Sequence, residues 1–226
     1  MKKIVIGLSG GMDSATLLGI LLEQGCEVHC CSFYYGSKHG IWENRAAENL
    51  IDFYQNKQFP VFGHFINLTE AFQGFDSSLL KSGGEIPEGN YKAENMKSTV
   101  VPGRNMIFAS IMAGLAESIN AEVIALGVHA GDHFIYPDCR PDFINSLHKT
   151  IHYSTDKKVT VMAPFLDLDK TAILKIGIGL KVPVPYHLTR TCYKDQELSC
   201  GKCGSCIERL ESFSNLQLTD PIKYQK

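Results

Sequence analysis

Ile4-Val5-Ile6-Gly7-Leu8-Ser9-Gly10-Gly11-Met12-Asp13-Ser14 decides the fold, because a helical apolar pattern (Ala15, Leu17, Leu18, Ile20, Leu21, Leu22) follows it at once. The order is strand, glycine-bearing turn, helix. The start of such a helix leaves backbone N–H groups unpaired and carries the positive end of the helix dipole, so it makes an anion pocket. Adjacent glycines let the backbone approach a ligand that a Cβ would block. Ser9 and Ser14 add hydroxyl donors, and Asp13 is placed to hold a metal or a ribose hydroxyl. The loop has no Gly-Lys-Ser/Thr ending to grip a γ-phosphate, and it lacks the G-x-G-x-x-G order of dinucleotide sites. The plain alternative is a tight turn whose serines merely cap the helix.

Outside the loop, 226 residues suffice for one well-buried α/β domain plus a small appendage. A hydrophobic content of 44% with 20% charged residues describes an ordinary globular protein. A net charge of −2 gives no global attraction to nucleic acid. No apolar run approaches the length of a membrane span, and the short run after Met1-Lys2-Lys3 reads as a first strand and no signal peptide. Eight cysteines without an export signal argue for a reducing compartment and metal binding, so a cytoplasmic enzyme is expected.

Further along, strands are expected over Glu27 to Tyr35, Val61 to Leu68, Glu122 to Val128 and Val159 to Pro164. Helices are expected over 42 to 57, from Gly103 to about Asn120, from Pro141 to His152 and from Asp169 to Leu180. This alternation implies a parallel sheet covered on both faces. Residues 73 to 100 break the pattern and read as a lid, a binding segment or a disordered loop. The chain divides into an α/β domain over 1–188 and a cysteine-dense module over 189–226.

In that module Cys192, Cys200, Cys203 and Cys206 form C-x7-C-x2-C-x2-C, with Gly201 and Gly204 between them. Four soft thiolates from a short loop suit tetrahedral zinc and leave no open catalytic position. Metal binding of this kind contributes roughly 10–16 kcal/mol in small modules, more than so few apolar side chains supply. Cys26, Cys30 and Cys31 read as core residues.

Two other segments are unlike generic core: Val101-Pro102-Gly103-Arg104-Asn105 at a helix start, and His129 to Pro141, which contains Tyr136-Pro137-Asp138-Cys139-Arg140-Pro141 directly after an apolar strand. In open parallel sheets, ligands bind beyond the carboxyl ends of the strands. SGGMDS itself resembles the pyrophosphate loop of the ATP-pyrophosphatase superfamily, whose members cleave ATP between the α- and β-phosphates. Together with VPGRN, YPDCRP and the cysteine tail, it resembles the 7-cyano-7-deazaguanine synthase family from residue 3 to about residue 210. Tyr35-Gly36-Ser37-Lys38-His39 with Glu43 is similar to the family's tyrosine–histidine–glutamate block, with Lys38 where arginine is usual. Arg190 stands where the family motif usually has tryptophan, in Thr189-Arg190-Thr191-Cys192-Tyr193.

The resemblance implies a Rossmann-like adenine-nucleotide alpha-hydrolase (PP-loop) fold and a reaction in which 7-carboxy-7-deazaguanine, ammonia and ATP give the 7-nitrile. It implies an ATP segment of Leu8, Ser9, Gly10, Gly11, Met12, Asp13, Ser14, Ala15, Thr16, Leu17 and Leu18, with Asp13 also a candidate contact to magnesium. Lys38, Arg104 and Arg140 become candidates for phosphate or the substrate carboxylate, each with a structural salt bridge as alternative. Tyr35, His39, Asn105 and Tyr136 join the expected substrate site. A carboxylate accepts two adjacent N–H donors, so Asp138 or Asp132 is expected to read the guanine-like edge. A homodimer without nucleic-acid or membrane partners is expected. Other readings are a relative passing the activated deazaguanine to another amine, a tRNA-modifying adenylating enzyme, and a zinc-knuckle nucleic-acid binder. The last has only modest positive charge in its favour, since Arg190, Lys194, Lys202 and Arg209 are partly offset by Asp195, Glu197, Glu208 and Glu211.

Overall fold

The computed structural model describes residues 1–89 and 94–225. Strands β1 (Lys3–Gly7), β2 (Glu27–Tyr34), β3 (Val61–Asn67), β4 (Val123–Ala125) and β5 (Thr160–Met162) form one parallel sheet in the order β3-β2-β1-β4-β5. Helices α1 (Met12–Glu23), α2 (Gly40–Gln55), α3 (Arg104–Ser118), α4 (Pro141–Ser154) and α5 (Lys170–Gly179) follow the strands, and α6 (Gly204–Asn215) closes the chain.

Side chains alternate across a strand, so β1 feeds two cores. Ile4 and Ile6 join the core built with Leu17, Leu21, Leu50 and Ile173, whereas Val5 joins Met112, Ala116 and Ile144 on the other face. Burial on both faces is why β1 reads as a continuous apolar run. The strand order reverses between β1 and β4, a switch point where two connections part and leave a crevice.

One expectation is corrected, and one choice left open by the sequence is narrowed. The strand expected over Glu122 to Val128 keeps ladder geometry only for Val123–Ala125. The Leu126 N–H still bonds the Met162 carbonyl at 2.9 Å, but at Gly127 the chain passes against α1, where a Cβ would lie 3.4 Å from the Ser14 nitrogen. Leu126 to Val128 therefore line a cavity. The segment 73 to 100 is not a loose loop over its described parts. Leu79, Leu80 and Met96 are buried in the core, a short 3-10 helix spans Glu94–Thr99, and Glu88 bridges to Cys203. Residues 90–93 lie outside the described residues.

The tail is fastened through Arg209, which is fully buried. Its Nε and Nη2 donate to Asp220 at 2.7 and 2.9 Å, and Nη1 donates to Thr189 at 2.7 Å. Helix α6 thereby packs on α5. Among the described residues no helix is long and apolar enough to cross a membrane.

Candidate active site and metal centre

The crevice at the switch point is walled by the glycine loop, the ends of β1, β2 and β4, the start of α3 and the cysteine segment. Gly10 holds φ +79°, and a Cβ there would meet the Glu43 carbonyl at 2.7 Å, so the turn admits only glycine. Gly11 precedes α1 with no side-chain cap, which leaves the first-turn N–H groups to a ligand. Ser14 Oγ bonds the Gly11 carbonyl at 3.2 Å and lies 3.2 Å from Ser9 Oγ.

Asp13 opens the first turn of α1. Its Oδ2 lies 3.5 Å from Lys170 Nζ and 3.8 Å from His129 Nε2, whereas its Oδ1 is buried without a partner. Lys170, 6% exposed, reaches Glu208 Oε2 at 2.7 Å. Burial pulls its ammonium down, but Asp13, Glu208 and Asp132 more than offset this and hold it above the ordinary lysine value. His129 accepts the Gly131 N–H on Nδ1 at 3.1 Å. Its proton therefore sits on Nε2, between Asp13 and Asp132, the latter at 3.6 Å.

Deeper in the crevice, the Arg104 guanidinium lies 5.9 Å from the Tyr35 and Tyr136 rings and donates to Tyr35 Oη at 3.2 Å. Among the described residues no carboxylate forms an ion pair with it, so a cation with open donors faces the chamber. Thr99, Tyr136 and Tyr193 join through their hydroxyls at 2.9 and 3.3 Å. Asp132, His39 and Asn105 also line the chamber, as does Cys139, whose thiol is pushed up by burial.

The structure gathers Leu8, Ser9, Gly11, Met12, Asp13, Ser14, Tyr35, His39, Arg104, Asn105, Asp132 and Tyr136 around one crevice. Gly10 backs the loop, and Ala15, Thr16, Leu17 and Leu18 are buried in α1 behind it. Three residues stand elsewhere. Lys38 Nζ donates to the carbonyls of Ser78 (2.9 Å), Gly83 (3.2 Å) and Gly84, so it pins the 78–84 loop. Asp138 Oδ2 accepts the Asn105 N–H at 2.8 Å and caps α3. Arg140 is exposed and donates Nε to the His133 carbonyl at 3.0 Å.

Sequence reasoning missed Lys170, Glu208 and Tyr193. Lys170 carried a signal: a cation in the first turn of a helix opposes the dipole, and Asp169 before it already caps that helix by accepting the Ala172 N–H at 2.7 Å. Glu208 had none, since only the packing of α6 on α5 brings it to Lys170, whereas Tyr193 stood in the cysteine-segment motif without being read as a lining residue.

The four cysteines form the second centre. They are 0–4% exposed, and their sulfurs all lie within 4.8 Å of one another. Tetrahedral Zn–S bonds of ~2.3 Å set sulfurs ~3.8 Å apart, and Cys200 and Cys206 are 3.9 Å apart. Backbone N–H groups of Cys200, Lys202 and Cys203 donate to Cys192 or Cys200 sulfur at 3.3–3.4 Å, as thiolates require. The donor set is able to bind a metal.

The model of the family described as "Queuosine biosynthesis protein QueC" matches residues 3–217. The chain is 43% identical over 224 residues, covering 99% of both chains, to "7-cyano-7-deazaguanine synthase 1" of Colwellia psychrerythraea. It is 42% identical over 225 residues to the "7-cyano-7-deazaguanine synthase" of Caldicellulosiruptor saccharolyticus, covering 100% of this chain and 96% of the relative. Among solved structures, the "U34-tRNA thiolase NcsA from Methanococcus maripaludis" superposes with a TM-score of 0.50 at 14% identity, over 96% of this chain and 66% of that one, which shows a shared fold alone. By the extent of the family match and the full-length identity to its relatives, the chain belongs to the QueC family of queuosine biosynthesis proteins.

Proposed function

We propose that the chain converts 7-carboxy-7-deazaguanine and ammonia to 7-cyano-7-deazaguanine at the expense of ATP. One observation carries this reading. The crevice joins an anion-binding glycine loop to a chamber whose half-buried Arg104 has no carboxylate partner among the described residues, in a chain 43% identical over its length to a synthase of that name.

A carboxylate is a poor electrophile. Attack of its oxygen on the α-phosphorus of ATP gives the acyl adenylate and releases pyrophosphate. Ammonia then displaces AMP to form the amide. A second adenylation at the amide oxygen, followed by loss of AMP and protons, leaves the nitrile. The protein's part is chiefly positioning and electrostatics. The glycine loop and the α1 N-terminus receive the phosphates. Arg104 holds the carboxylate, Asp132 accepts from the amino edge of the base, and Tyr35 and Tyr136 wall the ring. Lys170 supplies a buried cation beside Asp13, where charge develops on the leaving pyrophosphate.

Asp13 Oδ1, buried without a partner, fits a magnesium ligand, and such an ion neutralises phosphate charge when bound. The four thiolates fit zinc, which would hold Thr191, Tyr193 and Ser205 against the crevice. Exposed Met106 beside Ser110 and Gly114 gives α3 a face of the kind a second helix packs on, which supports a homodimer. Product analysis with ¹⁵N-ammonium tests the reaction. AMP, pyrophosphate and a labelled nitrile are expected, and ADP with phosphate as the primary products refutes it.

A further inference from the structure

We propose that Arg190 is a cation of the nucleotide site, carried into it by the cysteine segment and engaging the pyrophosphate portion of ATP. The inference rests on reading the glycine loop as the ATP site and adds a residue to it. Arg190 occupies a motif position where tryptophan is usual in the resembling family, so its charge is a property of this chain.

The backbone places it. The Arg190 N–H donates to the Gly10 carbonyl at 2.8 Å, and its own carbonyl lies 3.6 Å from where a Gly11 Cβ would stand. The residue is thus stitched to the anion loop itself. Its side chain is 8% exposed and lines the same crevice as Ser9, Gly11 and Asp13.

The guanidinium is fixed on three sides. Nη1 donates to the Glu197 carbonyl at 2.6 Å, Nη2 donates to those of Gln196 (2.5 Å) and Lys194 (3.1 Å), and the group stacks 5.2 Å from the Trp42 ring centroid. Trp42 is in turn held by its Nε1–H on Asp195 at 2.9 Å. Carbonyl oxygens satisfy N–H groups but carry no net charge. Among the described residues no carboxylate forms an ion pair with Arg190, and its Nε is buried without a partner. A nearly buried, uncompensated cation with an open donor is costly to keep. Beside a helix N-terminus built for anions, the missing counter-charge is that of a ligand, and guanidinium matches phosphate oxygens.

Pyrophosphate is the probe, because the claim concerns phosphates and not the adenine ring. Trp42 is the only tryptophan of the chain, so its fluorescence reports on the stacked Arg190. In the zinc-replete wild-type protein, pyrophosphate is expected to bind by calorimetry and to change Trp42 emission, while adenosine leaves emission unchanged. Arg190→Met, with zinc content and thermal midpoint recorded, is expected to bind pyrophosphate at least about tenfold more weakly and to keep its affinity for 7-carboxy-7-deazaguanine. Unchanged pyrophosphate affinity in folded Arg190→Met overturns the proposal. Equal weakening for pyrophosphate and the deazaguanine also overturns it, since that marks a residue that only supports the 194–197 turn. Should that variant fail to fold, wild-type pyrophosphate binding without any change in Trp42 emission is sufficient to reject it. Wild-type protein that binds neither ATP nor pyrophosphate instead refutes the ATP-site reading, a result distinct from either.

Discussion

Asp13 and Lys170 meet at 3.5 Å although one lies in the first turn of α1 and the other opens α5, so two helix N-termini converge on one buried lysine. Glu208, from the helix after the last metal-ligating cysteine, completes the triad at 2.7 Å. Lys170→Met would leave two carboxylates facing each other with no cation between them. Removing one partner of a buried pair costs about 3–5 kcal/mol. The expected result is a clear fall in thermal midpoint and a loss of turnover of at least about 100-fold. Because the folded lysine value is raised, the pair's contribution is complete below the unfolded value near 10.4 and is lost only as pH rises through the folded value. Stability attributable to Lys170 should therefore be flat from pH 6 to 9, as thermal melts of wild type and variant will show.

The metal centre makes a prediction that reaches beyond its own segment. Cys203→Ser is expected to lower the zinc content below one per chain by elemental analysis. Since Arg190, Thr191, Tyr193 and Ser205 line the crevice, the variant should also bind substrate more weakly. Retention of zinc with full affinity would reject both the ligand set and the coupling.

Lys38 separates a structural cation from a catalytic one. Its ammonium is spent on the carbonyls of the 78–84 loop. Lys38→Met should make that loop cleavable by limited proteolysis while ATP affinity stays within about threefold. A tenfold loss of ATP affinity with an intact loop would return Lys38 to the phosphate site.

These residues show what sequence made legible. The parallel sheet, the anion loop and the four cysteines follow from local patterns: alternating apolar runs, paired glycines before a helix, and short cysteine spacings. The crevice itself was legible only in part. Arg104 and Asp132 lie in segments whose composition sets them apart, but the commitments of Lys38 and Asp138 depend on backbone carbonyls and N–H groups that carry no residue-specific signal. Glu208 reaches Lys170 only through tertiary packing of α6 on α5, and Tyr193 meets Tyr136 across 57 residues of chain, contacts that no spacing encodes.

At the far end of β2, His29 Nδ1 and His64 Nε2 lie 3.0 Å apart, His29 Nε2 contacts Glu27 at 3.0 Å, and the Phe62 ring stacks on His29. Burial first, and His29 second, depress the His64 value below its ordinary 6.5. A base whose folded value is lowered contributes stability in full above the unfolded value and loses it as pH falls through the folded one. The thermal midpoint should therefore decline below pH ~6.5, and His64→Gln should flatten that decline. An identical pH profile for wild type and variant would assign the loss to other groups.

The choice between Asp132 and Asp138 now has a structural basis. Asp138 Oδ2 holds the Asn105 N–H at 2.8 Å, while the Asp138 backbone carbonyl accepts from Asn105 Nδ2 at 3.1 Å. Both contacts fix the start of α3, whose N-cap Gly103 offers no side-chain acceptor. An asparagine at 138 still presents a carbonyl oxygen to that N–H, so Asp138→Asn should leave deazaguanine binding within a few-fold. Asp138→Ala removes the acceptor and should cost about 1 kcal/mol of stability, as other lost caps do. Asp132 lines the crevice beside His129. Asp132→Asn exchanges a carboxylate oxygen for an N–H donor, which would oppose the donors of the amino edge. A site built to pair buried polar groups discriminates by up to about 10⁴-fold, so a loss of at least about 100-fold in deazaguanine affinity is expected, with pyrophosphate affinity nearly unchanged. Titration of both ligands into both asparagine variants decides the matter. Strong loss in Asp138→Asn with normal binding in Asp132→Asn would reverse the assignment and require the α3 cap to open when substrate binds.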